Sequence, residues 1–200
     1  MELIPLIYFK NRKILSAKDE GGVSISAFLK RDNNFDKIYI LDEDGIRDYK
    51  PNLCSYQKLS EKFEMWIDFG PITLGDIVDS FMTGATSITI RKDFWCIPNF
   101  SSIKEITENK IYAGIDFIDW TEIGNFFSLL DDVDGLVVFD NKEKEFSNIN
   151  KSMLVKKVCK KKDVYVYESD FEKISYWDAL GVKGILTEIN NLRGVEKNAV

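Results

Sequence analysis

The stretch KIYILDEDGI, Lys37 to Ile46, runs an apolar, β-branched segment straight into three carboxylates, Asp42, Glu43 and Asp44, and then a glycine. Acids placed where a strand ends can transfer protons, ligate a hard cation, or cap the helix that follows. The arrangement recurs along the chain. Other apolar runs end at Tyr8, Asp68, Arg91 and Lys92, Asp116 and Asp119, Asp140, Glu168 and Glu188. There is no histidine, which removes imidazole general bases, Ser-His and Cys-His nucleophile pairs, and His-based zinc sites. Cys54, Cys96 and Cys159 are odd in number, far apart and never in CxxC spacing, so free thiols in a reducing cytoplasm are expected. Carboxylate chemistry is what the side-chain inventory leaves.

Elements that could position these groups follow from periodicity. Eight short apolar runs are present: LIPLIYF, KIYIL, MWIDF, SITIR, IYAGIDF, GLVVFD, DVYVYE and GILTE. Runs without polar alternation belong to strands covered on both faces, as in parallel sheets. Helical patterns lie between them. TLGDIVDSFMTGA sets Leu74, Ile77, Val78 and Phe81 on one face, with Thr73 as cap and Gly84 near the end. WTEIGNFFSLLDDV does the same with Ile123, Phe126, Phe127 and Leu130, and DFEKISYWDALGV with Phe171, Ile174 and Leu180 before Gly181.

Strand and helix thus alternate about every 25 residues, which calls for βαβ units with right-handed crossovers. Eight units in 200 residues predict one compact (β/α)8 barrel domain spanning the chain, at the lower size limit of that fold. An open doubly wound sheet would show a glycine-rich first turn, and KNRKILS has no glycine. The two halves also echo each other: IYILDED with LVVFDNK, LIPLIYF with IYAGIDF, FMTGATSITI with DALGVKGILT. Three echoes in the same order predict a half-barrel pseudo-repeat that sets Asp42 opposite Asp140 and Tyr8 opposite Asp116.

Composition limits the partners. An apolar fraction of 44% and a charged fraction of 30% are those of a globular protein. A net charge of -6 argues against nucleic-acid binding, which needs clustered cations. The basic run KKVCKKK, Lys156 to Lys162, reads as a solvated helix C-terminus, where cations suit the macrodipole. MELIPLIYF is too short and too acidic for a signal peptide, and no run reaches membrane-span length. The expectation is a cytoplasmic protein acting on a small metabolite, with a protein partner or self-association left open.

Barrel sites lie at the C-terminal ends of the strands, so the strand-ending residues form one mouth. Some acids there cap helices instead, and Glu43, Asp119 and Asp170 fit that role. Asp116 and Asp140 end strongly apolar strands and are the better functional candidates. DEDG lacks EF-hand spacing, and there is neither GxGxxG nor a Walker sequence. No cofactor is implied; an acidic mouth could hold a divalent cation through oxygen ligands.

IPLIYFKNRKIL, IYILDEDGI followed by PN, WIDFGPITLGDIVDSFMTGATSITI, GIDF and GVKGILTEINNLRG resemble, nearly end to end, the two barrels of histidine biosynthesis. These are the phosphoribosylformimino-aminoimidazole carboxamide ribotide isomerase and the cyclase subunit of imidazole glycerol phosphate synthase. The resemblance implies an acid–base pair at the ends of the first and fifth strands, because an aldose–ketose rearrangement needs one group to protonate the ring oxygen and one to take the C2 proton. The fifth-strand acid matches as Asp116 and the second-strand acid as Asp44, while the first-strand position is Tyr8. A phenol with a pKa near 10 is a poor base at neutral pH. The resemblance further implies phosphate sites at two glycine-rich turns. The first keeps Gly70, with Arg91-Lys92 replacing a small turn; at the second, Glu168-Ser169 and Thr187-Glu188 replace glycine-rich pairs. A carboxylate about 4 Å from a phosphate charge costs roughly 4 kcal/mol at an effective dielectric of 20, more than the 0.3–2 kcal/mol or so that a helix N-terminus returns. A ligand phosphorylated at both ends is therefore not expected.

Two functional expectations result. One is a diverged isomerase or lyase for a small, singly phosphorylated metabolite, with Asp116 as acid or base, Asp44, Asp140 and Tyr8 assisting, and Gly70, Thr73, Arg91 and Lys92 at the anion end. The other is a related barrel without catalysis that binds a protein partner, a cation or a regulatory ligand.

Overall fold

A computed structural model describes residues 1–15, 21–31, 34–94, 100–116, 129–139, 148–189 and 191–192. Among the described residues nine strands form one sheet: β1 (Glu2–Lys10), β2 (Lys13–Leu15), β3 (Lys37–Asp42), β4 (Glu64–Asp68), β5 (Ala85–Arg91), β6 (Lys110–Asp116), β7 (Gly135–Phe139), β8 (Asp163–Tyr167) and β9 (Gly184–Glu188). Eight of them pair in parallel, and β9 pairs back onto β1 through Glu2–Gly184 to Leu6–Glu188, so the sheet closes. All eight expected strands are present, and closure rules out the open sheet. The crossovers carry α1 (Ile25–Leu29), α2 (Glu43–Asp48), α3 (Leu53–Ser60), α4 (Leu74–Met82), α5 (Phe100–Ile106), α6 (Asn148–Cys159) and α7 (Ile174–Leu180). No helix among the described residues is long and apolar enough to cross a membrane.

Successive side chains of a strand point to opposite faces, and here the two faces differ in kind. Outward residues are mostly β-branched or aliphatic: Ile7, Ile38, Ile40, Ile67, Ile88, Ile90, Ile111, Leu136, Val138, Val164, Val166 and Ile185 pack against the helices. The barrel interior is aromatic. Trp66 sits among Tyr39, Tyr112 and Tyr165, with ring centroids 5.2, 4.0 and 4.7 Å away, and Ile4, Leu6, Val137 and Leu186 complete this cluster. Large rings fill a barrel with few residues, and the Trp66 indole N–H is satisfied by Thr89 Oγ1 at 2.8 Å.

The helices follow their sequence signals where they are described. Thr73 caps α4 in a reciprocal capping box with Asp76, and Gly181 ends α7 in the left-handed region at φ 85°. Ile77 is fully buried, Phe81 packs against the core, and Leu74 and Val78 at the stripe's edge remain exposed. Of WTEIGNFFSLLDDV, only the tail falls among the described residues, as a 3-10 turn at Leu129–Asp132. The first Lys pair of KKVCKKK occupies the last turn of α6. The β1–β2 hairpin was not among the expected elements: β1 turns back on β2 through Asn11 and Arg12, both at positive φ.

Candidate functional site at the barrel mouth

Parity decides which strand-ending groups face the mouth. On β3, Tyr39 belongs to the interior cluster with Leu41 against it, so Asp42 points outward, where it is fully buried. Its carboxylate accepts from the N–H groups of Asp44 (3.1 Å), Gly45 (3.1 Å) and Asn52 (2.8 Å), from Asn52 Nδ2 (2.9 Å), and from the Tyr56 hydroxyl. It therefore caps α2 and ties α3 to the strand. Burial raises its pKa, and these donors oppose that rise.

Asp44, in the first turn of α2, is half-buried. It accepts from Asn11 N (2.9 Å), Arg12 N (3.1 Å) and Asn52 Nδ2 (3.1 Å). Two left-handed non-glycine residues in one turn are strained, and the carboxylate satisfies both of their N–H groups. Partial burial would raise its pKa; the two backbone donors outweigh that and lower it.

The expected anion end is arranged similarly. Gly70 adopts φ +66°, and a Cβ there would meet the Phe94 ring at 2.7 Å, so the glycine is needed for close packing beneath that ring. At the start of α4, the N–H groups of Ile72 (2.9 Å) and Thr73 (2.8 Å) donate to Asp76 Oδ2, and Asp76 N donates to Thr73 Oγ1 (3.2 Å). Arg91 Nε lies 2.8 and 3.1 Å from the oxygens of fully buried Asp68, and its Nη2 lies 2.8 Å from Oδ2. Its guanidinium stacks on Phe139 at 4.2 Å. Gly114 leaves room for its stem: a Cβ there would meet Thr89 Cγ2 at 2.8 Å and Arg91 Cγ at 3.3 Å. Four adjacent strands, β4 to β7, thus seat one guanidinium. Arg91, Lys92, Asp93, Gly114, Asp116 and Phe139 line a cavity of about 50 Å³, with Asp116 exposed at the end of β6.

Across the mouth, β1, β8 and β9 bring Tyr8 and Glu188, both strand-ending residues of the sequence reading, together with Tyr167, which that reading did not single out. Tyr8 OH donates to Tyr167 OH (3.2 Å) and lies 3.5 Å from Glu188 Oε1; Tyr167 OH donates to the same Oε1 (3.2 Å). Burial first, then the Tyr167 contact and the Glu188 charge, push the Tyr8 phenol well above its ordinary value. Burial and Glu188 raise Tyr167 too. Both phenols are neutral hydrogen-bond donors at physiological pH. The signal for this cluster lay in barrel closure: β9 neighbours β1 only once the sheet closes.

Asp140 and Asp119 lie outside the described residues, as does Cys96. Among the described residues no three Asp, Glu or Cys side chains converge on a point suited to a metal ion. No protein-family model and no curated protein sequence matches the chain.

Proposed function

We propose that this barrel is a diverged relative of the histidine-biosynthesis isomerase and cyclase barrels, descended from two related halves. It acts as an isomerase or lyase on a small metabolite with at most one phosphate, moving protons between carboxylates at its mouth. One observation carries the reading: Glu188 on β9 lies within reach of Tyr8 on β1, with Asp116 on β6, at the far side of the closed sheet. The carboxylate missing from the end of β1 is thereby replaced from the adjoining strand. Asp116 and Glu188 are the acid–base pair, Tyr8 and Tyr167 orient Glu188, and the Arg91–Lys92 corner takes the anionic group. Asp44 supports the mouth indirectly by holding the β1–β2 turn.

The test combines binding and turnover against a panel of aldose and ketose monophosphates. Ligand at about 100 times its Kd adds roughly 2.7 kcal/mol, about 5–10 °C in Tm for a chain of this size. Asp116→Asn and Glu188→Gln should keep the shift and lose about 10²–10⁴-fold in turnover. Silence across the panel would favour the second reading, a binding barrel without catalysis. That reading draws on the self-capped α4 N-terminus, whose Ile72 and Thr73 N–H groups are taken by Asp76.

A further inference from the structure

A second cavity, of about 620 Å³, lies where the β1–β2 turn meets the loop from α2 to α3. Asn11 and Arg12 line it from the turn, Asp44 and Asp48 from α2, and the stretch from Lys50 to Ser55 closes the remaining side. It shares no residue with the Arg91 cavity. Its volume falls within the roughly 300–1,000 Å³ of small-molecule sites, and its walls are largely polar and charged. One wall is the first turn of α3, a helix of eight residues. Its N-cap residue, Asn52, makes no side-chain bond to that turn, although asparagine is among the best N-caps. Asn52 Nδ2 donates instead to Asp42 Oδ1 (2.9 Å) and Asp44 Oδ2 (3.1 Å). The N–H groups of Leu53 and Ser55 find carbonyl oxygens, those of Pro51 (3.0 Å) and Asn52 (2.8 Å). Cys54 N finds none among the described residues. Ser55 is only 8% exposed, yet its hydroxyl makes no hydrogen bond among the described residues. Buried hydroxyls nearly always have a partner, so a helix-start N–H and a buried O–H are left for a group from outside.

Charge decides which group. Arg12 and Lys50 are exposed and line the same space, and neither side chain is held in an ion pair among the described residues. A helix start with cations beside it favours an anion. Of the two carboxylates in the cavity, Asp44 already accepts three hydrogen bonds, while Asp48 is exposed and can accept from hydroxyl groups. We propose that this cavity binds the phosphate monoester of a small polyhydroxylated molecule. The phosphate accepts from Cys54 N, Ser55 Oγ and the Arg12 and Lys50 side chains, and the ligand's hydroxyl groups donate to Asp48. The site does not depend on the acid–base reading of the mouth, since neither Asp116 nor Glu188 lines it.

A thermal shift would not tell this site from the mouth, so the test reads the cavity directly. Cys54 is an exposed thiol in the first turn of α3, and an occupied cavity should shield it. Iodoacetamide labelling resolved by peptide mass spectrometry follows Cys54 and half-buried Cys159 in one sample. Glycerol 3-phosphate at about ten times its Kd, with ionic strength matched by chloride, should slow Cys54 labelling about tenfold. Cys159 labelling should not change. Inorganic phosphate, which brings no hydroxyl groups for Asp48, should protect only at higher concentration. Arg12→Gln combined with Lys50→Gln should abolish the protection, Ser55→Ala should weaken it, and Lys92→Gln at the mouth should keep it. Three results would overturn the proposal: a wild-type Cys54 that glycerol 3-phosphate does not protect, protection that survives the double variant, or protection lost in Lys92→Gln. Inorganic phosphate as tight as glycerol 3-phosphate would overturn the hydroxyl-bearing class of ligand. The wild-type result stands even if a variant fails to fold. Labelling does not depend on turnover, so unchanged activity in Asp116→Asn would count against the catalytic reading alone.

Discussion

At the scale of single residues, one side-chain type is used in two opposite ways. Asp42, Asp76 and Glu168 accept hydrogen bonds from backbone N–H groups of their own turns and Asp44 from those of the β1–β2 turn, so their charge is spent on holding loops in place. Glu188 accepts from the Tyr167 phenol at the mouth, and Asp116 is exposed at the end of β6. Asp44 gives the clearest test of a supporting role. Its lowered pKa means that the folded state favours the carboxylate, so its contribution is present above the unfolded value near 3.8 and disappears as pH falls through the folded one. Asp44→Ala should lose about 1–2 kcal/mol at neutral pH, the worth of two exposed backbone hydrogen bonds. The gap to wild type should close as the solution is acidified below about pH 3.8. Urea unfolding at several pH values measures this, and a gap that persists unchanged in acid would show that Asp44 acts through packing.

At the scale of elements, the turns from β3 to α2 and from β4 to α4 end in caps made by the chain itself, Asp42 and the Thr73–Asp76 box, and this lets short helices survive. α4 is nine residues long, below the length at which an isolated helix is stable in water. Asp76→Ala removes the acceptor for both Ile72 and Thr73 N–H and should cost about 1–2 kcal/mol, while Asp76→Asn should recover part of that. Chemical denaturation of both variants checks it; equal losses would mean that charge, not hydrogen-bond acceptance, matters at this cap. The strands are held differently. At Gly135, a Cβ would lie 2.2 Å from the Asp163 carbonyl oxygen, a backbone contact that cannot move without parting β7 from β8. Gly135→Ala is therefore expected to destabilise by more than the roughly 1–3 kcal/mol of ordinary overpacking, and a variant as stable as wild type would disprove that close approach.

At the scale of the whole molecule, closure is what makes the site. β1 is bonded to both β3 and β9, and a chain stopped after Leu180 would lack β9 and expose the edges of β1 and β8. Exposed apolar edges pair with other chains, so this truncation should lose cooperative unfolding and self-associate, as light scattering would report. A monomer with a single sharp transition would mean that the barrel does not need its last strand. The existence, order and ends of the eight strands were legible in the amino-acid sequence, because continuous apolar runs and the Thr73 and Gly181 caps are local signals. Which way the strand-ending acids face was not. Both faces of each strand are apolar, Ile40 outward and Tyr39 inward alike, so alternation carries no mark of inside and outside. Asp42 and Asp116 therefore look equivalent in one dimension, yet one is a buried cap and the other stands at the mouth. The pairing of Tyr8 with Glu188 joins positions 180 residues apart, and no local pattern encodes it. Sequence alone determined where each strand delivers its polar residue; only the closed barrel decided which of them meet, because closing the sheet makes its first and last strands neighbours.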